Sequence, residues 1–424
     1  LRKKFRQLVL SAPGGACRRP ENRQTGRITA RLHQQDGERG GDVMTPSARA
    51  AAAIAVLDRY LAGEPLEQAL TNWARASRYA GSGDRAAVRD IVFDAVRQRR
   101  TAAALGGGLT GRGLVLGLAR ASGQEALFSG IGHAPEPPSP ADRGRHPEAI
   151  EALDLPDWLL PMLEDSLGPD CHAVLEALRH RAPVFLRVNL GKTDRAHAMA
   201  ALAAEGIGTA PHPLAATALE VLENARRVQA SQAYLTGLVE LQDASSQAVV
   251  EALPLADGMK VLDHCAGGGG KTLAMAARAR LDLFAHDVAP RRMAGLPERA
   301  RRAGVSVTLT ARPEATGPYD LVLVDAPCSG SGSWRRDPEA KWGLTPDRLD
   351  ALVAEQASIL ARASAMVAEG GHLAYVTCSL FRRENLGQVS SFLACHAGWT
   401  LKTHQTLTPL SSGDGFFLAI LRRA

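Results

Sequence analysis

The sequence predicts an α/β fold: a doubly wound, mainly parallel sheet preceded by a small α+β module and an all-helical domain. Three observations carry this. From residue 245 onward, short apolar runs alternate with helical stretches, the pattern of strand–helix–strand units. One of these runs, "VLDHCAGGGGKT" (261–272), passes from a strand through a glycine-rich turn into a helix. Far upstream, "ARAAAAIAVLDRYLAG" and "DRAAVRDIVFDAVRQRR" carry apolar residues at helical spacing.

Taken in order, residues 1–43 are rich in Arg, Gln and Gly, with no apolar period, and read as a disordered basic leader. They hold ten Lys or Arg against four Asp or Glu, a balance of +6, which equals the net charge of the whole chain. The other residues therefore sum to zero, and any nucleic-acid surface must be a local patch. Met44 opens a helix at once, so it is expected to be the true start, with residues 1–43 an over-long reading; the alternative is a basic RNA-binding arm. Residues 44–130 are expected to be a helical domain, and the proline-rich "PEPPSPADRGRHP" (135–147) places a linker at 131–147. Residues 148–245 read as the α+β module, with a strand in "PVFLRVNL" (183–190), a helix at 194–204 and a turn and strand in "GIGTAPHPL". Residues 246–424 form the sheet domain. Its strands are expected at 259–263, 282–287, 305–309, 319–325 and 371–377, with helices at 271–280, 290–303 and 345–368.

Composition narrows the class. No apolar run approaches the roughly 20 residues of a membrane span, and the leader is too short in apolar residues for a secretion signal. The six cysteines contain no C-x-x-C pair, which argues against zinc and disulfides and for a reducing cytoplasm. Nothing demands more than a monomer.

The glycine loop is the first candidate site. A phosphate loop would need glycine at position 265, where the chain has Cys265. The dinucleotide pattern fails because Lys271 and Thr272 occupy its closing positions. Four adjacent glycines still exceed what a plain turn needs, so a nucleoside ligand is expected beside the backbone. Ligands of such sheets bind beyond the carboxyl ends of the strands, and three more polar signals fall there. Asp287 closes "LFAHD", where a carboxylate can accept from a ribose, or else cap the next helix. "DAPCSGSG" (325–332) puts Asp325 and Cys328 at one strand end, and "YVTCSL" (375–380) puts Cys378 at another. Cysteines are usually small hydrophobes, the reading given to Cys17, Cys171 and Cys395. Two at ligand-facing strand ends suggest a nucleophile and a helper.

With these residues the chain resembles the RsmB/Nop–Sun family of S-adenosylmethionine-dependent RNA (cytosine-5) methyltransferases. The resemblance runs from about 148 to the end, through "LQDASSQ", "DHCAGGGGKT", "HDVAPRR", "DAPCSGSGSWRRDPEAKW", "TCSL" followed by "EN", and "DGFF". Residues 44–130 are similar, more weakly, to the NusB-like RNA-binding domain of RsmB-type members, through Arg49, Asp84, Arg85 and "VRQRR". The resemblance implies a class I, Rossmann-like methyltransferase domain. S-adenosyl-L-methionine would lie against Cys265, Ala266, Gly267, Gly268, Gly269, Gly270 and Lys271, with Asp287, Arg292, Thr310 and Asp325 completing its site. Its methionine end carries no phosphate, which accounts for the failure of both phosphate patterns.

The resemblance also assigns roles. Cys378 would add to carbon-6 of cytosine, Asp325 would bond the base's nitrogen edge, and Cys328 would assist proton removal and release. Lys271 would hold the base or Asp325. Chemistry alone does not choose between Cys378 and Cys328, since DNA cytosine methyltransferases use the cysteine after proline. Arg335 and Arg336 are expected to lower the thiol pKa. Two departures stand out: Gly268 replaces the family's usual proline, and Thr310 replaces an aspartate that reads the adenine amine. Thr310 is the one support for an alternative, an RNA-binding assembly factor without catalysis; a small-molecule methyltransferase is a third reading. RNA is expected on three basic runs: the helices at 85–100, "RHRAPVFLR" (179–187) and "SWRRDPEAKW" (333–342). Trp334 and Trp342 either stack on bases or pack in the core. The NusB-like domain points to ribosomal RNA, with transfer RNA still open, and no metal is implied.

Overall fold

"YDLVLVD" explains the sheet domain. Leu321 and Leu323 pack on one face with Val261 and Val376, while Val322 and Val324 pack on the other with Leu262 and Leu373. A strand buried on both faces must sit mid-sheet and be covered on both sides. The structure, a computed structural model, describes residues 44–424; the expectations for the leader and for Cys17 lie outside the described residues.

The helical part comprises α1 (Pro46–Leu61), α2 (Leu66–Ala76), α3 (Ser82–Arg97), α4 (Arg99–Gly106) and α5 (Gly111–Ala121). Its first helix starts where the sequence says it should. Thr45 accepts the Ala48 amide, and Pro46 occupies a position whose missing N–H costs nothing. Alanine, valine and leucine from α1, α3 and α5 then share one core around Val56, Leu57, Val92 and Leu116. The proline-rich stretch expected as a linker lies along this bundle. Arg112 pairs with Asp142 at 2.9 Å and bonds the carbonyls of Glu136 and Pro137.

Next come α6 (Leu160–Leu167) and α7 (Cys171–Leu178), then the module of β1 (Val184–Val188), α8 (Arg195–Ala204), β2 (Thr209–Pro211), β3 (Ala218–Val221), α9 (Gln232–Leu235) and β4 (Val239–Leu241). Its antiparallel sheet has the order β2-β3-β1-β4. One buried carboxylate joins this region to the helical bundle. Asp154 has no exposed surface and takes the left-handed backbone, φ 52°. It accepts from the amides of Arg100 and Thr101 at the start of α4, from the Thr101 hydroxyl, and from Arg179 at 2.8 Å. Losing it orphans several donors together, so Asp154→Ala is expected to lower stability by about 3–5 kcal/mol. Urea unfolding monitored by circular dichroism checks this; a loss below about 1 kcal/mol, the scale of an exposed pair, contradicts it.

The sheet domain runs α10 (Ala244–Glu251), β5 (Lys260–Asp263), α11 (Gly270–Ala276), β6 (Asp282–Ala285), α12 (Leu296–Ala303), β7 (Thr308–Leu309), α13 (Pro313–Thr316), β8 (Tyr319–Asp325), α14 (Pro338–Gly343), α15 (Pro346–Ala365), β9 (Val367–Thr377), α16 (Leu386–Cys395), β10 (Trp399–Leu407) and β11 (Phe416–Arg423). Strand order is β10-β11-β9-β8-β5-β6-β7. The strands from β9 to β7 are parallel, and β10 and β11 add an antiparallel edge absent from the sequence reading. Two other details differ. The helix expected over 290–303 is a short turn at Pro290–Met293 followed by α12, because Pro297 fits only a helix's first turn. The third strand shrinks from 305–309 to Thr308–Leu309.

Candidate active site

The carboxyl ends of β5, β6, β8 and β9 bring the predicted residues together. After β5 the chain turns through Gly267 and Gly269, both left-handed at φ 51° and 81°. A Cβ on Gly269 would stand 2.2 Å from Leu296 Cδ1, so with its left-handed backbone this position strongly favours glycine. Gly268 and Gly270 lack this constraint, so Gly268 stands where proline's negative φ is acceptable. Side chains the sequence reading missed tie the loop down. Arg187, itself buried, donates to the Gly270 carbonyl and to Gln242 at 2.8 Å each, and Arg299 donates to the Gly268 carbonyl. Their partners lie far away in sequence, so no local signal marks them.

Asp263 and Asp287 flank this loop. Asp263 accepts from the Thr272 hydroxyl at 2.6 Å, and burial pushes its pKa up to about 7. Asp287 is buried, accepts from the Gly267 amide at 2.9 Å and pairs with Arg292 at 3.1 Å. It also accepts from the Ala289 amide, so its carboxylate ties the glycine turn to the segment after β6. Cys265 is half-buried, and burial drives its thiol far upward, which makes it a wall and not a nucleophile.

Thr310 sits just after β7, next to His286. Its carbonyl accepts from His286 Nδ1 at 2.9 Å and its hydroxyl from the Arg312 amide at 3.3 Å. His286 stacks on His264 at 5.2 Å. Burial, helped by His286, pulls the His264 pKa down to about 4, so the pair meets this pocket uncharged on the His264 side at neutral pH. The sequence reading passed over both histidines.

The reactive groups lie beyond β8 and β9. Lys271 Nζ is 2.7 Å from Asp325 Oδ2 and 4.9 Å from the centre of the Phe416 ring. Burial works against the ammonium, but the Asp325 carboxylate outweighs it and the Lys271 pKa ends up raised. Cys328 Sγ and Cys378 Sγ are 3.4 Å apart. Their environments differ in sign. The hydrogen bond with Cys328 lowers the Cys378 pKa, burial and the Asp325 charge oppose this, and Lys271 assists it. Cys328 moves the other way, through its contact with Cys378, burial and the Glu384 charge. Either sulfur can donate to the other at this distance, and the opposite directions favour Cys378 as the thiol that ionises first.

Several expectations are corrected here. Arg335 and Arg336 do not face the thiols: Arg335 pairs with Asp414 at 2.9 Å, and Arg336 with Asp414 and Asp243. Lys271 supplies the cation instead. Trp334 is fully buried against Phe381, and Trp342 donates to the Val96 carbonyl beneath Arg99, so neither is a base platform. The basic runs are partly internal and otherwise largely paired with carboxylates. Arg97 and Arg187 are buried, Arg89 pairs with Glu67, Arg100 with Asp157, Arg179 with Asp154 and Arg181 with Asp90. Lys341 is buried too, and burial draws its pKa down to about 7. An exposed basic groove remains between α2 and α3, lined by Arg75, Arg78 and Arg85.

Comparison with known proteins fits this geometry. The family described as 16S rRNA methyltransferase RsmB/F matches residues 250–422, and the ferredoxin-like domain of RsmF/B-like methyltransferases matches 155–229. The ribosomal RNA small subunit methyltransferase B of Xanthomonas campestris is 33% identical over 306 residues, covering 67% of this chain and 70% of that protein. The chain belongs to the RsmB/F family. The protein of the same name from Citrobacter koseri is 35% identical over 63% of this chain and 66% of its own length, so alignment spans about two thirds of each relative. Among solved structures, PH0851 superposes with a TM-score of 0.71 at 21% identity, covering 90% of this chain and 99% of that one. A methyltransferase homologue from Pyrococcus horikoshii gives 0.56 at 24% identity, over 64% and 96%. These two likenesses establish the fold. As an RsmB/F member, the protein is an S-adenosylmethionine-dependent RNA methyltransferase. Asp263 Oδ1, buried beside the glycine turn without a hydrogen-bond partner, and the Asp287 carboxylate fit that cofactor's amino-acid and ribose ends. Among the described residues no group of three His, Cys, Asp or Glu is placed to hold a metal, and no single helix is long and apolar enough to cross a membrane.

Proposed function

We propose that this enzyme methylates carbon-5 of a cytosine in small-subunit ribosomal RNA through a transient bond between Cys378 and carbon-6. The observation that carries the reading is the thiol pair 3.4 Å apart, with Lys271 and Asp325 beside it. When bound, S-adenosylmethionine supplies the electrophilic methyl group. Carbon-5 of cytosine is a poor nucleophile. Addition of the Cys378 thiolate to carbon-6 pushes the double-bond electrons toward carbon-5 and the ring nitrogen, where Asp325 bonds the base and Lys271 steadies Asp325. Carbon-5 then takes the methyl group and still carries its proton. Cys378 is by now a neutral thioether, so it no longer opposes ionisation of Cys328. Once its own proton has passed to solvent, Cys328 becomes the base for the carbon-5 proton, and re-formation of the double bond expels Cys378 as a thiolate.

The relatives' shared name, ribosomal RNA small subunit methyltransferase B, supports the choice of RNA. The groove at Arg75, Arg78 and Arg85 offers phosphate contacts at a distance from the chemistry. Incubation with labelled S-adenosylmethionine and, separately, unmodified small-subunit RNA and unmodified transfer RNA tests the reading. Labelled 5-methylcytidine in the small-subunit RNA is the expected product. Label confined to transfer RNA, or found in another nucleoside, overturns it.

A further inference from the structure

Glu384 has no exposed surface, yet it carries a carboxylate next to the reactive thiols. Its Oε1 accepts from the Ser329 amide at 2.8 Å and from Gln356 Nε2 at 2.9 Å. Its Oε2 accepts from the hydroxyls of Ser329 and Ser379. These serines directly follow Cys328 and Cys378, so one side chain grips both cysteine loops. Its backbone is anchored as well: its carbonyl accepts from the Tyr375 hydroxyl at 2.6 Å, and the neighbouring Asn385 accepts from Thr377 at 2.5 Å. All four donors to the carboxylate are neutral. A buried carboxylate held by neutral donors is costly when packing alone is required. It also puts negative charge on the Cys328 side of the pair, where it opposes ionisation of Cys328, while the Cys378 side faces the Lys271–Asp325 ion pair, whose two charges act on Cys378 in opposite directions.

We infer that Glu384 is a positioning residue that sets the separation of Cys328 and Cys378 and assigns the thiolate to Cys378. The inference rests on the reading of Cys378 as nucleophile and extends it: the choice between two adjacent thiols is made by a charge behind them. Glu384 disfavours a thiolate at Cys328, and the serine bonds fix the distance over which its charge acts.

Alkylation by iodoacetamide, followed by mass spectrometry of the two cysteine peptides across neutral to alkaline pH, tests this without RNA or methyl transfer. In the wild type, Cys378 is labelled first; labelling of Cys328 first overturns the inference. In Glu384→Gln, which keeps the shape and removes the charge, labelling shifts from Cys378 toward Cys328 by about tenfold, the scale on which a buried charge acts on a neighbouring thiol. Methyl transfer by that variant falls by about tenfold or more. An unchanged labelling ratio with full activity overturns the inference. Ser379→Ala guards against a folding defect, since it removes one donor and leaves the charge. It keeps the labelling order and lowers turnover by about threefold, within the usual worth of one hydrogen bond; full turnover removes the positioning half of the claim. Retained methyl transfer in Cys378→Ser would instead sink the nucleophile reading, so the two failures are distinguishable.

Discussion

Cys378→Ser is expected to abolish methyl transfer, by about ten-thousand-fold or more, the scale on which loss of an enzyme's nucleophile acts. The proposed mechanism needs an anion that can add to carbon-6 at neutral pH. A thiol ionises far more readily than a hydroxyl, and the contact with Cys328 shifts the Cys378 pKa further down. A serine hydroxyl in the same place has no accessible alkoxide. The substitution removes one sulfur and leaves the glycine turn untouched, so S-adenosylmethionine binding, measured by calorimetry, stays within about twofold of wild type, as for a site that adds without coupling. Single-turnover transfer to small-subunit RNA is the readout. Activity within about tenfold of wild type would mean that the Pro327-linked Cys328 attacks instead.

The next largest effect is expected at Asp325. Asp325→Asn keeps the side chain's shape and removes its charge, and turnover should fall by about 10²- to 10⁴-fold, the range for a group that assists proton transfer. The base loses the acid–base partner on its nitrogen edge, and this dominates. Lys271, almost entirely buried, also loses the carboxylate that holds its proton against burial. The Cys378 thiol feels two opposed changes, since the Asp325 charge that raises its pKa disappears while the Lys271 cation that lowers it is weakened. Quench-flow separation of binding from chemistry shows the loss in turnover, with RNA affinity little changed. A variant within about threefold of wild type would reduce Asp325 to a structural partner of Lys271.

Those groups were legible in the sequence because each ends a strand of strong apolar pattern. "YDLVLVD" announces Asp325, and "LAYVT" announces Cys378, since a doubly wound sheet delivers strand ends to one edge. β10 was not legible: "WTLKTHQTL" is an edge strand facing solvent, so it lacks the buried alternation that marks a strand. The basic runs misled for a related reason. Arg336 and Arg181 look like surface charge until the fold brings Asp243, Asp414 and Asp90 to them, and no local pattern records those meetings. Glu384 stood in view within "EN" of the family resemblance, but nothing in its neighbours foretells a carboxylate with no exposed surface. Thr310 remains the departure with the least compensation in the structure; its hydroxyl is engaged by Arg312, and the adjacent His286 is the polar group left beside it.

The central claim is that a covalent bond forms between Cys378 and RNA, and that Cys328 is needed to break it. The direct measurement is a denaturing gel of wild type, Cys328→Ser and Cys378→Ser, each after incubation with S-adenosylmethionine and small-subunit RNA. The account predicts a protein–RNA band that survives denaturation in Cys328→Ser and is absent from Cys378→Ser. A band in Cys378→Ser with none in Cys328→Ser would contradict it and hand the nucleophile's role to Cys328.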